Sequence, residues 1–274
     1  MRKLIFITIV FTFLTAPALA DQFPGGNGEG WDGGAAMWER KSGYYAGNGG
    51  EFTIYRDGEP GFFLDNSDYA ASTKGLTWTI GSTTYGGPQS FQTFCMETGE
   101  YIHEPMRIWV SEASIASPTV YGSGSHAWKG GTNIGDDLDA KTAYLYTQFA
   151  KETLSNYAYS GTVNKLNRSQ TAGALQRLIW ATEDEGGGDF TQTFQGITLN
   201  LLQQNLITSW NTGFTNSGWT GIGNVRVLQT FQLDTLGKIT GLKQDQLYLV
   251  PVPGAVLLGM LGLSVAGLKL RKSK

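Results

Sequence analysis

The sequence is poor in cysteine, histidine, proline and cationic residues. One cysteine, two histidines and eight prolines are spread over 274 residues. A single cysteine excludes a disulfide framework within the chain. Eight prolines without a Gly-X-Y period exclude a collagen-like helix. Twenty Lys+Arg stand against 23 Asp+Glu, so no basic surplus exists to follow phosphates, and nucleic acid is excluded as a partner. No Cys/His spacing suits zinc, and no metal or cofactor is expected. Glycine, by contrast, is abundant: 38 residues, about 14% against a usual 7% or so. Eight Trp, 12 Tyr and 14 Phe are more aromatics than a disordered chain carries.

Both ends read as addresses. In residues 1–20, Arg2 and Lys3 precede an apolar run from Leu4 to Leu14, and Ala18-Leu19-Ala20 forms an A-x-A cleavage site. This is a signal peptide, too short to span a bilayer permanently, and it implies export with signal peptidase as a processing enzyme. At the other end, Gly254–Leu268 carries no charge and is followed by Lys269, Arg271, Lys272 and Lys274. An apolar helix ending in cations is a stop-transfer pattern. With Leu247–Val252 added, it just reaches membrane length. Six of the 20 cations lie in these two ends and none of the acids. The exported part therefore holds 14 cations against 23 acids, a net −9 that favours solubility.

The C-terminal order of proline motif, glycine-rich apolar helix and basic tail resembles the PEP-CTERM class of exosortase sorting signals. Val250, Pro251, Val252, Pro253, Gly254 and Ala255 match its V-P-x-P-x-A/G core, with Val252 where the commonest form has glutamate. The resemblance implies cleavage near the prolines by an exosortase, then surface attachment or release. A plain C-terminal membrane anchor is the alternative.

Between the ends, ten glycines crowd Gly25–Gly50, and residues 21–50 read as a loose arm or a set of turns. Strand-like runs follow at Glu51–Arg56, Gly61–Leu64, Leu76–Ile80, Phe91–Glu97 and Met106–Ser111. Helical patterns cover Asp136–Tyr159, Asn167–Thr182 and Phe194–Trp210, the second with Asn167 and Gln170 in capping-box register. Asn224–Leu233 and Gln246–Val250 read as strands again. The order predicts one α+β domain over 51–249, a β-sandwich with a helical insertion.

The cysteine, Cys95, sits in Phe91-Gln-Thr-Phe-Cys95-Met-Glu97. In a strand it shares a face with Thr93 and Glu97, while Phe94 and Met96 face the other way. A lone thiol in an oxidising compartment invites three readings: an inert buried residue, an intermolecular disulfide, or a thiol committed to chemistry. About eighty residues on, the helix contains Ala174-Leu-Gln176-Arg-Leu-Ile-Trp180. F-C-x-E followed at this distance by a helical L-Q-x-x-I-W resembles the thioester domains of bacterial surface adhesins. Leu175 and Met96 stand where the adhesins often carry threonine and an aromatic. The resemblance implies an internal thioester between the Cys95 sulfur and the Gln176 carbonyl, with Ile179 and Trp180 as the apolar pair after it. It also implies covalent capture of an amine on a surface protein or matrix component, a single-use acyl transfer rather than turnover. Helical spacing puts Ala172 one turn before Gln176, where a small residue admits the strand, and Trp180 one turn after, where it can roof the bond. Glu97 is placed to serve as a base.

Other chemistries compete. A cysteine hydrolase would pair Cys95 with His103 or His126. Asp136, Asp137 and Asp139, or Glu183, Asp184, Glu185 and Asp189, could hold calcium, without EF-hand spacing. Aromatic stretches at Tyr121–Trp128 and Trp210–Trp219 suit sugar stacking as well as packing. A non-catalytic structural or glycan-associated surface protein is the principal alternative to the thioester.

Overall fold

The computed structural model describes residues 36–56, 66–80, 83–88, 90–98, 107–111, 113–114, 136–233 and 239–251, all within one compact unit. The expected signal peptide (residues 1–20), the expected strand at Gly61–Leu64, both histidines, Tyr121–Trp128 and everything from Val252 on lie outside them. Among the described residues no helix is long and apolar enough to cross a membrane.

The chain begins with a hairpin. Strands β1 (Ala36–Ala46) and β2 (Gly49–Arg56) pair antiparallel, with Ala46 opposite Gly49 around a two-residue turn. Gly47 takes the first turn position at φ +55°, the backbone that two-residue hairpin loops require there. Residues 36–50 were expected in the glycine-rich arm and are instead sheet. The Gly47-Asn48 pair is a hairpin signal, and Gly49 and Gly50 open the strand after it. Glu51, Phe52, Thr53 and Ile54 are all buried, so β2 is covered on both faces.

A short hairpin of β3 (Thr77–Ile80) and β4 (Thr83–Gly86) leads to β5 (Phe91–Thr93), which pairs with β2. Then β6 (Arg107–Ser111) joins a second sheet, and β7 (Ala113–Ser114) pairs with β8 (Asp136–Asp137). The two larger sheets run β1-β2-β5 and β12-β11-β6, where β11 is Val225–Leu233 and β12 is Ile239–Leu249. They are not separate. Beyond Thr93 the chain leaves β2 and pairs with β12: Leu247 N donates to Phe94 O and Met96 N to Asp245 O, at 3.3 and 2.9 Å. The segment Phe91–Met96 therefore belongs to one sheet at its start and to the other at its end.

Three helices pack on this framework. Helix α1 (Ala140–Ala150) buries Leu145, Tyr146 and Phe149, and Phe149 meets Phe94 edge-on at 4.9 Å. It is shorter than the predicted 136–159, because its first acids form β8 and Glu152 turns left-handed at φ +57°. A β9–β10 hairpin (Thr162–Val163, Leu166–Asn167) precedes α2 (Arg168–Thr182). The capping box is present: Asn167 Oδ1 accepts from Gln170 N and Asn167 N donates to Gln170 Oε1. Helix α2 packs across β1, β2 and α3, and every residue from Thr171 to Trp180 is buried. Helix α3 (Leu201–Ser217) starts later than the predicted 194, at its own capping box of Asn200 and Gln203. Its buried stripe of Gln203, Leu206, Ile207 and Trp210 follows the helical period.

A buried ion pair ties hairpin to helix. Arg168 Nε and Nη2 donate to the two Glu51 oxygens at 2.7 Å each, and Tyr157 Oη donates to Oε1 at 2.5 Å. Burial works against the Arg168 charge, but the Glu51 carboxylate outweighs it and holds the guanidinium above its ordinary value.

Candidate functional site

Cys95 is fully buried at the point where the strand changes partner. Toward β12 it opposes Gln246 in a non-hydrogen-bonded pair, since the flanking residues make the ladder bonds on that side. The Cys95 N–H and C=O must therefore point the other way, toward β2. Continuing the β2–β5 register (Phe52 with Thr93) brings Gly50 opposite Cys95. A hydrogen-bonded pair would be expected there.

The side chain of Gln176 occupies that place. Its Nε2 donates to Cys95 O at 2.7 Å, and its Oε1 accepts from Cys95 N at 3.1 Å and from Gly50 N at 3.4 Å. The carboxamide replaces a rung of the sheet, fully buried on a helix with no exposed face at this level. Gly50 makes room: at φ +105° it bends β2 away in a conformation that residues with a Cβ rarely adopt. No family model, curated protein or solved structure matches this chain. The reading of the site rests on its geometry and on the motifs.

Chemically, the arrangement has the parts of an acyl-transfer centre. Two backbone N–H groups converge on the Gln176 carbonyl oxygen, where negative charge develops when a nucleophile adds to Cδ. The amide nitrogen, which would be the leaving group of such a transfer, is held by Cys95 O. The thiol stems from the same Cα whose N and C=O grip the carboxamide.

The surroundings exclude water. A Cβ built on Gly49 would lie 2.5 Å from Gln176 Cγ and 2.6 Å from Trp180 Cη2, so the hairpin backbone lies directly on both side chains. Trp180, buried, stands edge-on to Phe194 at 5.8 Å. Ala172 and Ile179 are buried on the same helix. At Gly173 on the same helix an added Cβ would meet Ala46 Cβ at 2.8 Å, so β1 also approaches α2 closely. Glu97 is buried two residues past Cys95, and its carbonyl accepts from Gln244 Nε2 at 2.9 Å.

Three participants were not singled out from sequence. Gln246 lies on the Cys95 side of the sheet, fully buried, and its Oε1 accepts no hydrogen bond among the described residues. Its alternation with Leu247 and Asp245 in a strand was the available signal. Arg177, next to Gln176, is buried and donates to the carbonyls of Gly187, Asp189, Gln192 and Ile197, organising the loop after α2. Gln195 rides on that loop. It sits with Gly196 in a tight turn, both at positive φ, closed by reciprocal bonds between Phe194 and Ile197.

The remaining candidates have other duties. Glu183 Oε1 accepts from Asp139 N, Glu185 Oε2 from Thr98 N and Oγ1, and Asp189 Oδ1 from Thr191 N and Oγ1. The two Thr191 bonds lower the Asp189 pKa. Among the described residues no His/Cys/Asp/Glu group is arranged to hold a metal ion. Trp210 is core: its Nε1 donates to Ser155 O and its ring stacks on Tyr157. Val250, first residue of the expected sorting motif, is buried and donates to Asn224 O, and Pro251 follows at the surface margin. Pro253 and the histidines of the hydrolase alternative lie outside the described residues. Open grooves of about 420 and 440 Å³ are lined by neither Cys95 nor Gln176.

Proposed function

We propose that this is an exported surface or matrix protein whose α+β domain forms a Cys95–Gln176 thioester and uses it to capture an amine on a partner. The observation that carries the reading is the Gln176 carboxamide gripped by the backbone of Cys95, its carbonyl oxygen under two N–H groups. In the forming step the Cys95 sulfur adds to Gln176 Cδ, the C–S bond forms and the C–N bond breaks. The thiol proton leaves with the amide nitrogen as ammonia. Glu97, buried two residues past Cys95, is the group we assign to relay that proton. Contact of this kind can be worth about 7–11 kcal/mol of the barrier. In the capture step a partner's primary amine adds to Cδ, an isopeptide bond forms, and the sulfur leaves as a thiol. The reaction happens once per chain and is not turnover. Residues 1–20 and 250–274 fit the same reading as signal peptide and exosortase-type sorting signal, with signal peptidase and exosortase as processing enzymes and the C-terminal helix as the membrane anchor.

A second reading rests on the same bonds. Gln176 satisfies the Cys95 backbone where strand pairing ends, which a purely structural surface protein also needs. Intact mass of the exported chain separates the two. The thioester form is lighter by one ammonia, regains mass with methylamine, and is lost in Cys95→Ala and Gln176→Ala. Full mass with an alkylatable thiol in the wild type would leave the structural reading.

A further inference from the structure

We propose that the tip of the β1–β2 hairpin, Gly47–Gly50, is the gate through which the amine reaches the thioester, and that Asn48 and Gln195 form its latch. The inference rests on the thioester reading for its purpose but not for its test.

Cys95 and Gln176 are fully buried, so a partner's lysine meets neither until something moves. Helix α2 is enclosed along its length, and the Arg168–Glu51 pair fixes it to β2 just beyond Gly50. The Cys95 segment is held by the β12 ladder. The hairpin tip is short and lies directly on the Gln195–Gly196 turn, where a Cβ on Gly47 would collide with Gly196 C. Gly47 and Asn48 are exposed, yet Gly49, next along, lies directly on Gln176 and Trp180. A register shift between Arg40 and Tyr45 separates the tip's two rungs, Tyr45–Gly50 and Ala46–Gly49, from the rest of the hairpin. On the other side, the β2–β5 ladder begins at Phe52. Short, weakly tied segments of this kind open locally while the core stays folded.

What closes the tip is the loop that Arg177 organises. Asn48 N donates to Gln195 O at 2.7 Å, and Asn48 Nδ2 to Gln195 Oε1 at 3.2 Å. Gln195 Nε2 donates in turn to Thr98 O at 3.2 Å, three residues past Cys95. One glutamine thus straps the tip to the far wall of the site. Opening breaks these bonds and lifts Gly49 off Gln176 and Trp180. It exposes the acyl carbon on the side where the amine must add. The same cover keeps water from hydrolysing the bond before a partner arrives.

Asn48→Ala removes one exposed side-chain bond, and Gln195→Ala removes two. One such bond shifts an opening equilibrium by roughly two- to tenfold. In the exported chain, both variants should take up methylamine faster by that factor, with Gln195→Ala the faster. Hydrolysis without amine should rise in parallel, and thermal stability should hardly change. Uptake rates equal to wild type in both variants would overturn the gate. The second arm needs no thioester: in a Gln176→Ala background, iodoacetamide should alkylate Cys95 faster when Asn48→Ala or Gln195→Ala is added. Equal alkylation rates would again overturn the gate. The mass measurement judges the thioester separately, so either idea can fail alone.

Discussion

Gln176 meets both backbone polar groups of Cys95, donating to its carbonyl at 2.7 Å and accepting from its amide at 3.1 Å. A side chain thus completes a rung that two strands leave open. Its amide is held in one orientation, with the nitrogen on one side and the carbonyl oxygen on the other. Substituting either residue disturbs sheet and chemistry at once, so the informative variants change one property at a time.

Gln176→Glu keeps the size of the side chain and removes the donor to Cys95 O. The carboxylate has no ammonia to lose, so the mass deficit should vanish. A buried carboxylate facing a carbonyl is also disfavoured and should be protonated or destabilising. Lower urea stability at pH 8 than at pH 5, relative to wild type, is the expected sign. Equal stability at both would show that the side chain has left its place.

Gly49→Ala asks for space that Gln176 Cγ and the Trp180 ring already fill, at 2.5 and 2.6 Å. The overpacking should cost about 1–3 kcal/mol in denaturant unfolding. Because the displaced atom belongs to Gln176, the fraction of chains lacking ammonia should fall well below wild type. Full thioester content with unchanged stability would contradict the close approach.

Glu51 and Arg168 form a buried, bidentate pair. Glu51→Ala leaves the guanidinium without its counter-charge and should cost about 3–5 kcal/mol. Replacing both partners with apolar residues of similar volume should recover much of that loss, measured by urea titration of the single and double variants. A loss under 1 kcal/mol in the single variant would count against the pair's burial.

Tyr69, Tyr146 and Tyr157 are buried, and burial first of all pushes each phenol above its ordinary value near 10. The folded chain holds these protons more tightly than the unfolded chain does. Their contribution to stability is therefore complete below about pH 10 and is lost as pH rises beyond it. Phenolate absorbance from these rings should appear together with loss of structure on alkaline titration. Full ionisation with native circular dichroism would refute this.

Much of the framework was legible along the chain. The capping box at Asn167 and Gln170 marked the start of α2, because its signal is three residues long and purely local. The runs at Glu51–Arg56 and Phe91 read as strands for the same reason. The glycine-rich stretch misled: Gly47-Asn48 is a turn between two strands and Gly49-Gly50 starts the second, and composition counts glycines without saying which of them bend a strand. Helix α3 was placed seven residues early because Phe194–Ile197 is apolar enough to continue the pattern, although Gly196 already breaks it.

The sequence alone determined that one thiol exists, that it lies in an aromatic strand, and that a glutamine follows on a well-capped helix about eighty residues later. Tertiary structure decided that the two meet at backbone level, where the strand passes from β2 to β12 and its odd residues lose their ladder partner. That outcome depends on pairing register and on the bend at Gly50. Both are long-range properties that no local window of residues contains. The tertiary structure also decided what covers the pair, since the roof comes from a hairpin tip and a loop nearly 150 residues apart in the chain.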